Sequence, residues 1–462
     1  RAKKDAGSDK KATWMGMGGD RVKEVTWINL SRAPRFVGYY YSSMLDPIKY
    51  KNESYRVPPE MSGAIKEMSE KVFRPYGKMI RKLEVSPRRS AVLVSLASYL
   101  YGKTINHGQG TYGNYRTLPF QVVMEMAHYN ADVLFDESIE KGDLDNYDVL
   151  FLPRCDTLTQ TAYQKIQDFQ KRGGLVYADQ YLGPELDVVH RFDFDFAYRR
   201  KVNAAAINKG ITYAEWDDHV ASSENIKMEK TSGVPADKDQ EIMEGFAKTF
   251  KNVVSEKVPH LVDCDTPTVL FNLCESNGIR YLFVINDKRT YGERVGKFRG
   301  IMEKSVPQKV TVRLHDKESA PQAVYDLLSE AELPITQEDG FISFPVDLDA
   351  LGGKIIALYP NKLEKISVSP DKESNKLGEK STVEINISSD SDSLVKGLQP
   401  LRVDIIDPQG NSHEDSDWIC IENGKGTFSF TPAWNDPAGE WTVQVKDLTA
   451  GLTSKTSLSF KN

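Results

Sequence analysis

The chain has 462 residues, enough for about three domains. Hydrophobic residues make up 40% and charged residues 27%, with a formal net charge of −6, which suits a globular protein and argues against the basic surface that nucleic-acid binding requires. The longest apolar stretch, Ala91 to Tyr101, is too short and too serine-rich to span a bilayer, so no membrane insertion is expected.

The chain opens Arg-Ala-Lys-Lys-Asp, with neither an initiator Met nor a signal-peptide apolar region. This points to a removed upstream segment or to a piece of a longer protein; a removed signal peptide would imply a secreted or periplasmic bacterial location. Residues 1–12 are small and charged and are expected to be disordered. A helix is expected from Val22 to Ala33, then a strand at Phe36-Val37-Gly38-Tyr39-Tyr40-Tyr41. Pro58-Pro59 opens a second helix through Met61, Ile65, Met68 and Val72, with a stop near Pro75-Tyr76-Gly77.

From residue 90 to 183 short apolar strands alternate with helices. The strands are placed near 91–95, 132–135, 148–152 and 175–178, and a helix runs from Thr159 to the stop Gly173-Gly174. Such alternation predicts a parallel sheet covered on both faces. A Gly/Tyr/Asn loop spans Gly102 to Arg116. Residues 184–262 hold an alternating stretch, Phe192 to Phe196, and an amphipathic helix, Asp237 to Lys257. Beyond residue 266 the pattern turns to β. Ser276-Asn277-Gly278 marks a hairpin, and strands are expected at Gln308 to Leu314, Phe341 to Val346 and Lys354 to Tyr359. From Glu364 onward, strands near 366–368, 382–387, 401–406, 427–430 and 441–445 alternate with Gly, Pro, Asn and Asp turns, the pattern of an immunoglobulin-like sandwich.

Chemistry is sought at the carboxyl ends of the α/β strands. They carry Ser95, Asp136, Arg154-Cys155-Asp156 and Asp179-Gln180. Cys155 has neither a small-residue elbow nor an evident histidine base, so a structural thiol is the simpler assignment than a nucleophile. Gly16-Met17-Gly18-Gly19 lacks the surroundings of a phosphate loop. Asp187, Asp193 and Asp195 suit a solvated acidic edge better than a cation site. The other cysteines, Cys264, Cys274 and Cys420, form no Cys-x-x-Cys pair; Cys264 and Cys274 are near enough in sequence to bond, though buried free thiols are simpler. No metal and no cofactor is expected. Tyr40 and Tyr41, followed by Ser42, could stack on a sugar ring or serve as core and its cover.

The segment Ala131-Asp132-Val133-Leu134-Phe135-Asp136, Gly142-Asp143-Leu144, Tyr147-Asp148-Val149-Leu150-Phe151-Leu152-Pro153, Phe169 and Gly173-Gly174-Leu175-Val176 resembles the trimerisation domain of family 42 glycoside hydrolases (β-galactosidases). That domain is itself similar to class I glutamine amidotransferases. The resemblance implies α/β plus all-β architecture in four parts. Residues 1–88 would be the tail of a (β/α)8 barrel. Residues 89–262 would be a flavodoxin-like, amidotransferase-like parallel sheet with a helical insertion. Residues 263–361 would be a small β domain, and 362–462 an immunoglobulin-like β-sandwich. The amidotransferase nucleophile would fall at Asp179, so that activity is not implied.

The resemblance further implies a carbohydrate ligand, a homo-oligomer (trimer or dimer), and Tyr40, Tyr41 and Ser42 at the rim of a sugar site. Retaining hydrolysis needs two carboxylates about 5 Å apart. The family's pair lies on earlier barrel strands, so the catalytic residues are unassigned here. The expected role is that of an assembly and accessory part of a glycoside-hydrolase-like protein. The alternatives are a non-catalytic structural or carbohydrate-binding protein and, last, an amidase-like enzyme using Cys155.

Overall fold

A computed structural model describes residues 11–14, 19–39, 59–101, 117–194, 236–295, 300–315, 320–338 and 340–462. The amino-terminal part holds strand β1 (Lys11–Trp14), helix α1 (Gly19–Leu30), strand β2 (Phe36–Tyr39), helix α2 (Pro59–Met68), helix α3 (Arg74–Ile80) and strand β3 (Glu84–Val85). Lys11 and Ala12, expected to be disordered, pair in parallel with Phe36 and Val37. The stop expected at Pro75 does not occur. A π-helical turn, Ser69–Phe73, joins α2 to α3, and Pro75 takes the first turn of α3, where its fixed φ suits the helix.

The α/β part contains β4 (Ser90–Val94), α4 (Leu96–Tyr101), α5 (Leu118–Met126), β5 (Asp132–Phe135), α6 (Asp136–Glu140), β6 (Val149–Leu152), α7 (Gln160–Lys171), β7 (Leu175–Asp179), β8 (His190–Phe192) and α8 (Ala236–Ser255). Its five strands are all parallel, in the order β5-β4-β6-β7-β8. The expected parallel sheet is present, and its first four strands have the reversal at β4/β6 typical of doubly wound sheets. Strand alternation divides the core. Val92, Phe151 and Tyr177 meet Phe120 of α5 and Phe250 of α8; Ala91, Leu150 and Val176 meet Ile139 of α6 and Ile166 and Phe169 of α7.

Local signals explain α7. Thr159 Oγ1 accepts from Ala162 N (3.1 Å) at the N-cap. At the other end Gly173 takes φ +97°, and Gly174 N returns to Phe169 O (2.9 Å), a Schellman closure. A Cβ on Gly174 would lie 2.4 Å from the Phe169 ring, so this glycine is also required by packing.

The next part contains β9 (Val262–Asp263), β10 (Val269–Ser276), β11 (Ile279–Asn286), β12 (Arg289–Val295), β13 (Gly300–Ser305), β14 (Gln308–His315), β15 (Ala323–Asp326), β16 (Ala331–Leu333), β17 (Thr336–Glu338), β18 (Phe341–Leu348) and β19 (Gly353–Tyr359). The expected hairpin forms between β10 and β11; Asn277 (φ +50°) and Gly278 (φ +77°) take the left-handed backbone region that a two-residue turn requires if it is to follow the right-handed twist of its strands. A six-stranded sheet, β16-β15-β19-β11-β10-β3, stacks on a four-stranded one, β17-β18-β14-β9. Leu282, Val284 and Ile356 fill the space between the sheets. Tyr281, Phe283, Ile285 and Ile355, on the opposite face of the larger sheet, meet Trp27 of α1 and the buried face of α2 and α3.

The carboxy-terminal part contains β20 (Leu363–Pro370), β21 (Ser374–Lys376), β22 (Ser381–Ser389), β23 (Leu398–Ile406), β24 (Asp417–Glu422), β25 (Lys425–Phe430), β26 (Gly439–Asp447) and β27 (Thr453–Lys461). All eight join one curled sheet, β20-β22-β25-β24-β23-β26-β27-β21, in which β24 touches β25 through a single residue pair. Val383 and Ile385 of β22 thereby share a core with Val403 of β23 and with Trp441 and Val443 of β26. This core is continuous with the one under Tyr281. At the join, Tyr281 Oη accepts from Leu398 N (2.7 Å) and donates to Leu398 O (3.0 Å).

Candidate functional site

The strand-end residues singled out from sequence do come together. β4 and β6, the neighbours at which the strand order reverses, end in Ser95 and in the segment Pro153 to Thr157. In open α/β sheets this crevice is the usual ligand site. Here the chain's own groups bridge it. Ser98 Oγ accepts from Thr157 N (3.0 Å) and donates to Thr157 O. The Ser95 hydroxyl lies 3.3 Å from both Thr157 O and Asp136 Oδ2, and accepts from Ser98 N at 3.0 Å. Asp136 Oδ2 also accepts from Ala97 N (3.0 Å), whereas its buried Oδ1 has no partner among the described residues.

Asp179 closes the end of β7. Its Oδ2 accepts from Arg154 N (2.9 Å) and its Oδ1 from Tyr181 N (3.0 Å). Burial pushes this carboxyl up to about 6, against the opposing pull of the two backbone donors. Arg154, held at φ +58°, lays its guanidinium 3.7 Å above the Tyr181 ring. Gly183 N donates to Cys155 O (3.2 Å), and a Cβ on Gly183 would stand 2.3 Å from Asp156 O. The segment after β6 is thus fixed from both sides.

Cys155 is not a nucleophile here. It is fully buried, and its thiol faces Pro153 O (3.6 Å). Burial, followed by Asp179, Asp136 and Asp156, raises the thiol well above its ordinary range, so it stays protonated at neutral pH. All four cysteines are free. Tyr40, Tyr41, Ser42 and the loop from Gly102 to Arg116 lie outside the described residues. Among the described residues no His, Cys, Asp or Glu group is arranged to hold a metal, and no helix is long and apolar enough to cross a membrane.

Sequence reasoning missed a second polar cluster, because its members come from distant segments. His128 (φ +62°) places Nδ1 2.7 Å from Asp263 Oδ1, and Lys251 meets the same oxygen. Cys264 Sγ lies 3.8 Å from His128 Nε2, so the order thiol, imidazole, carboxylate resembles a triad. It cannot act as one. Nε2 donates to Thr266 O (3.1 Å), the thiol donates to that same carbonyl (3.3 Å), and burial pushes the thiol up to about 11. The cluster ties the end of α5 to the start of the β region. A third feature is a polar cavity of about 720 Å³ beside the β10–β11 turn, whose lining includes Arg35, Arg81, Arg280, Glu84 and Glu275.

No protein-family model matches the chain. No curated protein matches it either. Solved structures similar to it include α-L-fucosidase isoenzyme 2 from Paenibacillus thiaminolyticus (11% identity, TM-score 0.46, 78% of this chain and 61% of that one). A β-galactosidase from Bacillus circulans sp. alkalophilus follows (12% identity, TM-score 0.41, 73% of this chain and 51% of that one). A third is a GH42 β-galactosidase from G. stearothermophilus (12% identity, TM-score 0.39, 74% of this chain and 51% of that one). The solved structures this chain resembles therefore include GH42 β-galactosidases and a fucosidase, and it spans between about half and three-fifths of their length.

Proposed function

We propose that this chain is the carboxy-terminal assembly and accessory part of a glycoside-hydrolase-like, carbohydrate-active protein, acting on β-glycosides only together with a preceding barrel. In this proposal residues 1–88 complete that barrel, and Tyr40, Tyr41 and Ser42 line the rim of its sugar site. Residues 89–262 are the amidotransferase-like assembly domain, and 362–462 an immunoglobulin-like module. The observation that carries the proposal is the self-bridged crevice between β4 and β6. A fold that normally binds ligand there has filled the place with Ser95, Ser98 and Thr157, and has a doubly anchored Asp179 where the related nucleophile would stand. Such a domain is a scaffold.

Self-association is supported by an apolar surface at the same edge. Leu96, Leu100 and Tyr101 of α4 are 45%, 56% and 76% exposed, and Phe135, paired with Val94, is 39% exposed. Two measurements test the proposal. Purified 1–462 should not turn over aryl β-galactosides, and turnover abolished by one Asp or Glu substitution within the chain would refute it. Sedimentation equilibrium at micromolar concentration should give a trimer or dimer that Leu100→Asp dissociates. A concentration-independent 52.0 kDa monomer would instead favour the second reading, a non-catalytic structural or carbohydrate-binding protein, to which the same filled crevice also lends support.

A further inference from the structure

Trp434 is the most exposed large hydrophobic residue described, at 79%, yet nothing around it is loose. The loop that carries it is fixed at every side. Thr431 N donates to Asp415 Oδ2 (3.2 Å), Gly378 N donates to Pro432 O (2.8 Å), and Ala433 N donates to Asp436 Oδ2 (2.7 Å). Asp436 Oδ2 also meets His413 Nε2 (3.3 Å), and the His413 ring packs edge-on against Trp441 (5.2 Å between centroids). The far side of the loop is held by the same core residue, whose Nε1 donates to Pro437 O (3.0 Å). The loop is therefore clipped to a fully buried tryptophan on both flanks.

The indole itself rests on bare backbone. Gly378 takes φ +82°, and a Cβ there would come within 2.5 Å of Trp434 Cε2. Only a glycine leaves room for the ring to lie against the chain. An isolated exposed apolar residue needs no explanation. An indole carried on a loop whose backbone is clipped at several points, with its ring against a glycine, does, since part of the ring is packed and 79% of the residue is left to solvent. The ring is presented in advance for a ligand, which lowers the ordering cost of binding.

We propose that Trp434 is the platform of a saccharide-binding surface on the carboxy-terminal module, taking one pyranose ring of an uncharged β-linked oligosaccharide. The π-face of the indole is negative, and a pyranose face that presents C–H bonds, either side of β-linked glucose or the side of galactose away from its axial O4, is apolar and faintly positive. Exposed Lys380 and Asn435, neighbours in sequence of Gly378 and Trp434, are the candidates to meet the ring hydroxyls, whereas Glu379 Oε2 already accepts from Lys376 N (3.1 Å). This deepens the proposed function only in taking sugar as the ligand class; the platform lies on a different module from the barrel.

The test uses the whole chain, titrated calorimetrically with two probes, β-1,4-galactotetraose and β-1,4-glucotetraose. Saturable binding of at least one is expected, at least tenfold weaker in Trp434→Ala and intermediate in Trp434→Phe, with thermal midpoints unchanged because the side chain is exposed. Failure to bind either tetraose, or equal binding by Trp434→Ala, overturns the proposal. A change of sedimentation mass in Trp434→Ala also overturns it, since the indole would then be a contact between copies. Tetraose binding by a monomer that lacks hydrolytic assembly would retain this site while sinking the assembly role.

Discussion

The carboxyl edge of the parallel sheet and the 431–437 loop of the carboxy-terminal module treat their functional groups in opposite ways. At the sheet edge Ser95, Ser98 and Asp179 engage backbone groups nearby, and these contacts bridge the crevice expected to receive a ligand. In the loop, Asp415, Asp436 and His413 also bind backbone and one another, but what they hold is an aromatic face left open to solvent. The same kind of network serves to stabilise in one place and to present in the other. What separates the two is whether anything remains uncovered once the polar groups are paired. A strand-end position alone is therefore weak evidence for a site.

Four experiments test this contrast. The largest effect is expected from Phe250→Ala. The ring contacts Phe120, Phe151 and Phe192 at 4.9 to 5.7 Å and joins α8 to the sheet. Its loss should cost about 3–5 kcal/mol in denaturant unfolding and loosen the α/β region while Trp434 is unaffected. Next is Asp179→Ala, which removes the acceptor of two backbone N–H groups and should cost about 1–3 kcal/mol. Equal stability of this variant and wild type would mean that the sheet edge is not locked as described.

The third is a pH profile. Burial raises the Asp179 carboxyl in the fold to about 6, above its value in the unfolded chain. Its contribution is therefore fully present below the unfolded value near 4 and is lost as pH rises through 6. Asp447, fully buried and also raised to about 6, acts with the same sign. Asp179→Asn should flatten part of the stability slope between about pH 4 and 6, leaving the Asp447 share. An unchanged slope would remove Asp179 as a contributor. The smallest effect is expected from Lys78→Ala, which breaks an exposed ion pair with Asp417 (2.6 Å) and should change stability by no more than about 1 kcal/mol.

Much of the fold was legible because its signals are local. Thr159 and Gly173-Gly174 bracket α7 within one short segment, and Asn277-Gly278 can form the β10–β11 turn with no outside help. Other elements were not. β27 buries only Leu458 and Phe460 among Ser, Thr and Lys, so its apolar pattern is too sparse to read. β24 crowds Trp418, Ile419, Cys420 and Ile421 together and shows no period of two. Pro75 carried a helix-stop signal that the preceding π-turn overrode. Ser95, Asp136 and Asp179 were legible as strand ends, a rule of the fold class. The Ser98–Thr157 bridge and the His128–Asp263 contact were not, because they link residues 59 and 135 positions apart. Trp434 lies in the Pro/Asn/Asp-rich connection between two expected strands, which announces a loop but not whether its indole turns outward or folds back on the core.

The phenol of Tyr281 has a further consequence. By both donating to and accepting from the Leu398 peptide, it makes one residue of β23 part of the hydrogen bonding of the larger sheet. Gly397, at φ +84°, would bring a Cβ within 2.8 Å of that same oxygen, so the seam admits no added methyl. With hydrophobic core running without interruption from Trp27 to Trp441, the carboxy-terminal module is welded to its neighbour. A scanning calorimeter should see the two melt in a single endotherm. A protease should find no cleavable tether between them, and grafting the module onto a foreign protein would require carrying the face around Tyr281 along with it.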